Sequence, residues 1–349
     1  MRIPQVFSIE HLKRFHLTLA LVGGLFLFLV LGQILLFSRQ AQAITISPPR
    51  LELAGDPGST VSGEVKVTND SNGVITYYTQ VENFEAGDET GNPAFVVAKE
   101  GLATWVNVPD SVFAKAGEQV VIPFTIKIPR STEPGGYFAS IFVRTTPPPR
   151  SGSEVSIGAR LGSLILLRVN GEIQEGVNIL EFGTKEKQRF FTSLPVEFYY
   201  RFQNTGADRV KPEGDIIIKN LIGMTAKTLS ANRSEGSVLP RSIRRFESPW
   251  INAGGDKEDV NAVVPAPVAG GFFTQAKYQL TNFAFGYYNA NLDIRFGENN
   301  NSATETFRFF IFPWQLLISA IVIFVVGFIL LRFFLRRYNR RIIAKHSRQ

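Results

Sequence analysis

Two long apolar stretches, residues 17–37 and 311–331, bracket this chain, and the second runs straight into arginine. As helix, at about 1.5 Å per residue, each is long enough to cross the roughly 30 Å hydrocarbon core of a bilayer. Whatever lies between must therefore fold beside a membrane. That middle region, residues 44–310, has no cysteine and no histidine; His11, His16 and His346 all fall outside it.

The charge distribution fits the same layout. Residues 1–43 carry Arg2, Lys13, Arg14 and Arg39 against Glu10. Residues 332–349 carry Arg332, Arg336, Arg337, Arg340, Arg341, Lys345 and Arg348 with no acid. This tail alone equals the chain's formal net charge of +7, so the middle region is slightly acidic. A pI near 9.6 would otherwise suggest nucleic acid. Here the cations flank apolar stretches, where the positive-inside rule puts them, and no nucleic-acid partner is expected. The bilayer is the expected partner, with attraction between the tail and anionic headgroups.

The first stretch has two readings. Lys13 and Arg14 form a positive n-region, residues 17–37 an apolar h-region, and Ala41-Gln42-Ala43 a small-x-small cleavage site. Its length argues for an uncleaved second anchor; the cleavage motif argues for removal between Ala43 and Ile44, which is the expectation. Residues 1–43 are thus read as a signal helix. The second stretch begins with Phe309-Phe310-Ile311-Phe312-Pro313-Trp314, aromatics suited to a membrane–water interface. Residues 309–331 are read as one transmembrane helix and 332–349 as a cytoplasmic tail, Arg332 snorkelling at the boundary.

The middle reads as β-structure. Val61, Gly63, Val65 and Val67 alternate with polar residues, Asn69-Asp70-Ser71-Asn72-Gly73 makes a turn, and Ile75, Tyr77, Thr79 and Val81 alternate again. That spacing predicts a hairpin. Val120 to Ile128 gives another period-two run, and Glu133-Pro134-Gly135-Gly136 turns the chain into residues 137–143. Residues 147–152, rich in proline, are read as a long hairpin loop, because residues 155–169 are again strand-like. Seven or so short strands in little more than a hundred residues predict an immunoglobulin-like sandwich. A second copy follows: a strand running into Asn204-Thr205-Gly206 matches the one running into Asn69, and Gly286-Tyr287-Tyr288 matches Gly136-Tyr137-Phe138. The tyrosines are read as packed β-formers rather than tyrosine corners. The expected fold class is an all-β extracytoplasmic body of two tandem immunoglobulin-like β-sandwiches, residues 44–170 and 171–308.

Ile46-Ser47-Pro48-Pro49-Arg50-Leu51-Glu52-Leu53, Asp56-Pro57-Gly58 and the strand into Asn69 resemble the opening of the bacterial WxL-interacting cell-surface proteins. Ile128-Pro129 through Pro134-Gly135-Gly136-Tyr137-Phe138-Ala139-Ser140-Ile141 resembles the same family and, more distantly, the first domain of pilus chaperones. Asn204-Thr205-Gly206, Lys211-Pro212-Glu213-Gly214, Val238-Leu239-Pro240 and Phe285-Gly286-Tyr287-Tyr288 are similar to the second domain of such proteins. The resemblance implies peptidoglycan contact by the first domain and surface-protein contact by the second. Its motifs are turn and strand residues, and no family binding residue can be matched onto this chain.

Catalysis is not expected. A Ser-His-Asp triad, a cysteine nucleophile and the usual zinc site each need residues the middle region lacks. Paired carboxylates for a hydrolase remain open, though no spacing marks a pair. No catalytic, cofactor or metal residue is assigned. Asp88-Glu89-Thr90-Gly91-Asn92 faintly resembles a calcium loop, but Pro93 stands where glycine is wanted and no glutamate closes it, so a plain acidic turn is expected. Arg241-Ser242-Ile243-Arg244-Arg245-Phe246 with Trp250 could hold a sugar or an acidic partner; solvated strand arginines are the expectation. The function expected is a membrane-anchored, non-catalytic binding or scaffolding protein of the bacterial cell envelope, contacting wall glycan or surface proteins. The alternative is a chaperone-like platform accepting a client strand at a sheet edge.

Overall fold

The computed structural model describes residues 23–24, 44–147, 160–251 and 270–346, with backbone alone from 339. The expected signal helix and Ala43 lie outside the described residues, apart from helical Gly23 and Gly24; Ile44 opens the first strand.

From residue 44 onward the described residues are β-structure with a few helices, built as two immunoglobulin-like sandwiches followed by one apolar helix. The first sandwich comprises β1 (Ile44–Ser47), β2 (Arg50–Gly55), β3 (Thr60–Asn69), β4 (Ile75–Ala86), β5 (Pro93–Val96), the short helix α1 (Leu102–Trp105), β6 (Val106–Asn107), β7 (Ser111–Ala114), β8 (Gln119–Lys127), β9 (Gly135–Arg144) and β10 (Arg160–Val169). One sheet runs β1-β3-β8-β6; the other runs β2-β10-β9-β4-β5, with β7 also on β4. Val65, Phe124, Ile126, Ile141, Ile165 and Leu167 are buried between them, the alternate positions of their strands, as a half-buried pleat requires. Gly63 stands in this series because its cross-strand partner Phe124 lays its ring where a Cβ would sit, 2.4 Å away.

The second sandwich comprises β11 (Val177–Thr184), β12 (Phe190–Phe191), β13 (Val196–Asn204), β14 (Glu213–Asn220), β15 (Thr225–Ser230), β16 (Ile243–Trp250), the helix α2 (Phe272–Thr281), β17 (Gly286–Phe296) and β18 (Asn301–Ile311). Its sheets run β11-β13-β16 and β12-β18-β17-β14-β15. Their shared core is aromatic-rich, with Phe198, Tyr200, Phe202, Trp250, Tyr288 and Phe309 in contact. The last helix, α3, spans Trp314–His346; its segment Trp314–Tyr338 has mean hydropathy 2.8, none of it is buried, and by length and composition it can cross a membrane.

Several expectations need correcting. β3 and β4 do not form a hairpin: β3 pairs with β1 and β8, while β4 pairs with β5, β7 and β9 in the other sheet. The turn after Asn69 is an arch between sheets. The buried Asn69 amide fixes it, donating to the carbonyls of Gly73, Ala114 and Lys115. Nor do Phe309–Ile311 open the membrane helix. They end β18, where Phe309 and Ile311 are core residues, so the second sandwich extends past 308 and the apolar helix starts at Trp314 rather than 309. Only Phe312 and Trp314 of that aromatic run stay exposed beside it. β9 and β10 do pair back, from Arg160 onward.

The internal match has a physical basis. Asn204 is buried like Asn69, donates to the carbonyls of Asp208 and Val238, and accepts from the Gly206 N–H, as Asn69 accepts from that of Ser71. The tyrosines, read as plain packing, do more: the Tyr137 hydroxyl donates back to Glu133 O and that of Tyr288 to Phe285 O. Both are tyrosine-corner contacts at the start of a late strand.

Candidate binding cleft between the sandwiches

Beside the second sandwich, the six-stranded sheet of the first is apolar on both faces. Ile165, Leu167 and Val169 of β10 point into the core, while Leu164 and Leu166 point outward with Phe84 of β4. That outer layer faces the second sandwich. An apolar outer face needs a cover, and the loop ends of the second sandwich supply it.

Several polar contacts among the described residues hold the two units together. The Gly136 N–H donates to Ala207 O at 3.0 Å, and Arg209 pairs with Glu52 at 2.8 Å. Arg168 reaches Asp208 and Glu298. Glu89, at the tip between β4 and β5, accepts from Arg201 Nε at 2.9 Å, and its carbonyl takes the Arg245 N–H on the free edge of β16. Arg201 and Arg245 are directly paired across β13 and β16, a like-charge pair that repels unless an anion is supplied. Glu89 supplies it, and the Arg201 hydrogen bond holds its carboxyl below the ordinary glutamate value. The loop read as a possible calcium site therefore spends its acids on structure: Asp88 accepts from the Thr90 N–H and hydroxyl, and Glu89 staples the sandwiches.

Beside this staple lies a cleft of about 100 Å³. Phe84, Leu164 and Leu166 form one wall, Leu239 and Ile243 the other, with Arg50 at the rim and Arg244 at the seam. Arg244 is not a solvated strand arginine, as its sequence context suggested. Its guanidinium lies 5.2 Å from the Phe246 ring centroid and donates to Ser237 O at 2.9 Å. Gly91 of the first sandwich and Gly236 of the second leave room for it; a Cβ on either would fall within 2.5 Å of its guanidinium carbon. Burial lowers its proton affinity from the ordinary arginine value, but an arginine stays charged in a protein. Its Nε has no hydrogen-bond partner, and among the described residues it makes no ion pair. Arg50, by contrast, pairs with Glu52.

A second open feature adjoins the cleft. β2 covers the outer edge of β10 only from Leu164, because Pro48 and Pro49 precede it and lack N–H groups to continue the ladder. Among the described residues no strand pairs with that edge of Arg160–Ser163.

The sequence singled out Arg244 and the Asp88 loop separately, and the structure brings them together. It places Ile44 in β1, away from the cleft. Leu164, Leu166 and the Glu89–Arg201 pair were not singled out, and Arg50 stood out only as part of the Ile46–Leu53 run. For the leucines the signal was present: β10 reads Leu-Ile-Leu-Leu without alternation, the mark of a strand covered on both faces.

No family model matches the chain, and no curated protein does. Solved structures do: the class 5 fimbriae chaperone CfaA is 15% identical over 76% of this chain and 98% of its own, with a TM-score of 0.38. The CsuC–CsuE chaperone–tip adhesion subunit complex of the archaic Csu pili of Acinetobacter baumannii gives 12% identity, the same coverage and a TM-score of 0.34. The chaperone YadV gives 11%, again the same coverage, and 0.32. These are likenesses of fold.

Proposed function

We propose that this chain is a membrane-anchored, non-catalytic binding protein of the bacterial cell envelope, its body outside and its basic tail in the cytoplasm. Its cleft between the sandwiches receives an extended, carboxylate-bearing segment of a surface protein. The observation that carries this reading is Arg244: a half-buried cation that lines the cleft between apolar walls and has no acid partner among the described residues. A guanidinium fork matches a carboxylate, and low local dielectric strengthens the pair. Leu164, Leu166, Phe84 and Leu239 would take the apolar side chains around that carboxylate. The peptide stems of cell wall carry the same group, so wall contact is the competing outcome.

The test uses full-length protein in detergent micelles with extended apolar peptides ending in a free carboxylate or an amide. The free acid should bind about tenfold more tightly, roughly one charge-assisted hydrogen bond's worth. Arg244→Gln should abolish that difference. Equal affinity for acid and amide would sink the reading, and binding only to isolated wall fragments would move the partner to the wall.

The uncovered edge of β10 favours a second reading, in which a client strand adds to Arg160–Ser163. Placing proline in the peptide at alternate positions should weaken binding in that mode and leave a carboxylate-only mode unchanged.

A further inference from the structure

The two ends of the second sandwich differ in character. Its loops 205–212, 231–242 and 297–300 face the first sandwich and, among the described residues, expose no large apolar side chain. Its opposite end, from which α3 leaves, exposes Phe273 (82%), Phe190 (79%), Leu221 (76%) and Ile222 (75%), with Leu280 and Phe283 beside them. Apart from Leu180 on β11, every exposed large apolar residue of the described second sandwich sits at that end. A clustering so complete marks an interaction surface.

The register places these groups at one height. Asn220 is opposite Tyr288, which is opposite Phe309, so the β14–β15 tip at Leu221 and Ile222 comes level with Ile311, three residues before the apolar helix. Phe190 pairs with Phe310. α2 is fixed at the same depth by α3 itself. The buried Gln279 side chain donates to Gln315 and accepts from the Leu316 N–H, capping one of the unpaired amides at the start of α3. The Phe272 and Trp314 rings meet at 5.9 Å. α2 thus lies alongside the first turn of a helix whose apolar run has already begun. Lys219, Lys227 and Lys277 stand next to the apolar tips, where anionic headgroups would lie.

We infer that this end of the second sandwich is itself seated in the bilayer: α2, the β14–β15 tip and Phe190 form a collar around the root of α3 that enters the headgroup–acyl boundary. The occupant of the surface is lipid, because the collar is continuous with the spanning helix. Seating it at both the β14–β15 tip and α2 fixes the sandwich at a set tilt rather than leaving it to swing on a single-helix tether.

This inference rests on α3 spanning the membrane, and the test separates the two. The chain has no cysteine, so single cysteines at Ile222, Phe273, Ile323 and, as a water-exposed reference, Phe113 can carry a fluorescent label. The full chain is reconstituted in phosphatidylcholine–phosphatidylglycerol vesicles. Labels at 222 and 273 should be quenched by lipid with a nitroxide high on its acyl chain at least about threefold more than the label at 113, as for groups about 5–10 Å deep. They should also be shielded from aqueous iodide. The label at 323 should respond to a nitroxide deep in the chain. Labels at 222 and 273 that behave like 113 while 323 reports lipid would overturn the collar alone. A water-exposed 323 would overturn the span and the collar with it.

Discussion

Two asparagines and one glutamate carry more of this architecture than their chemistry suggests. Asn69 and Asn204 each end a strand flanked on both sides in its sheet and satisfy carbonyls of distant segments. Replacing either with alanine leaves buried acceptors unpaired, at a cost of about 1–3 kcal/mol each. Aspartate should be worse, since a carboxylate cannot donate to those carbonyls. Urea unfolding of the full chain in detergent measures both. Glu89 acts on the relation between the sandwiches. Its folded-state carboxyl sits below the ordinary value of 4.5, chiefly through the Arg201 hydrogen bond. A depressed acid stabilises the docked arrangement above the unfolded-state value, and that stabilisation fades as pH falls through the folded one. Labels placed at Phe113 and Leu180 should report one inter-sandwich distance at neutral pH and a broader distribution in acid. Glu89→Gln should broaden it at neutral pH, and the effect should be small because the pair is partly solvated.

At the scale of elements, the end of β18 sets what can be cut away. Phe309 and Ile311 are core residues, so a chain stopped after Arg308 should lose the second sandwich, whereas one stopped after Phe312 should keep it. Trypsin resistance of the two truncated bodies distinguishes them, and Phe309→Ala in the full chain should cost about 3–5 kcal/mol. The reason residues 309–313 read as membrane helix is that β18's last core residues and the span are both apolar, with only Pro313 between them. Most strands were legible because period-two alternation is a local property. Their partners were not: whether the chain after Asn69 folds back or crosses to the other sheet depends on acceptors at Ala114 and Lys115, some 45 residues away. α2 escaped notice because it lies in a β-rich body, has no capping side chain and no acid in its first turn. The cleft was invisible for a similar reason, since Gly91 and Arg244 meet only after both sandwiches have formed.

The whole molecule joins a cleft at one end of the second sandwich to an apolar collar and a helix at the other. On the function and the bilayer seating proposed above, such a body would hold its binding face at a set height above the membrane. The seven basic residues after residue 331 should keep the tail inside, so an epitope after Gln349 should survive protease added to intact cells and be lost on permeabilisation. On the proposed function the exposed body works by contact through the cleft, with Arg244 as its anchor. Photo-crosslinking in living cells tests this most directly, with a photoreactive residue placed at Ser242 inside the cleft or at Val121 on the first sandwich as reference. The expected result is a discrete adduct from Ser242, none from Val121, and loss of the adduct when Arg244→Glu is added while the protein stays folded and in the membrane. An adduct from Ser242 that persists in Arg244→Glu, or none beyond that from Val121, would contradict it.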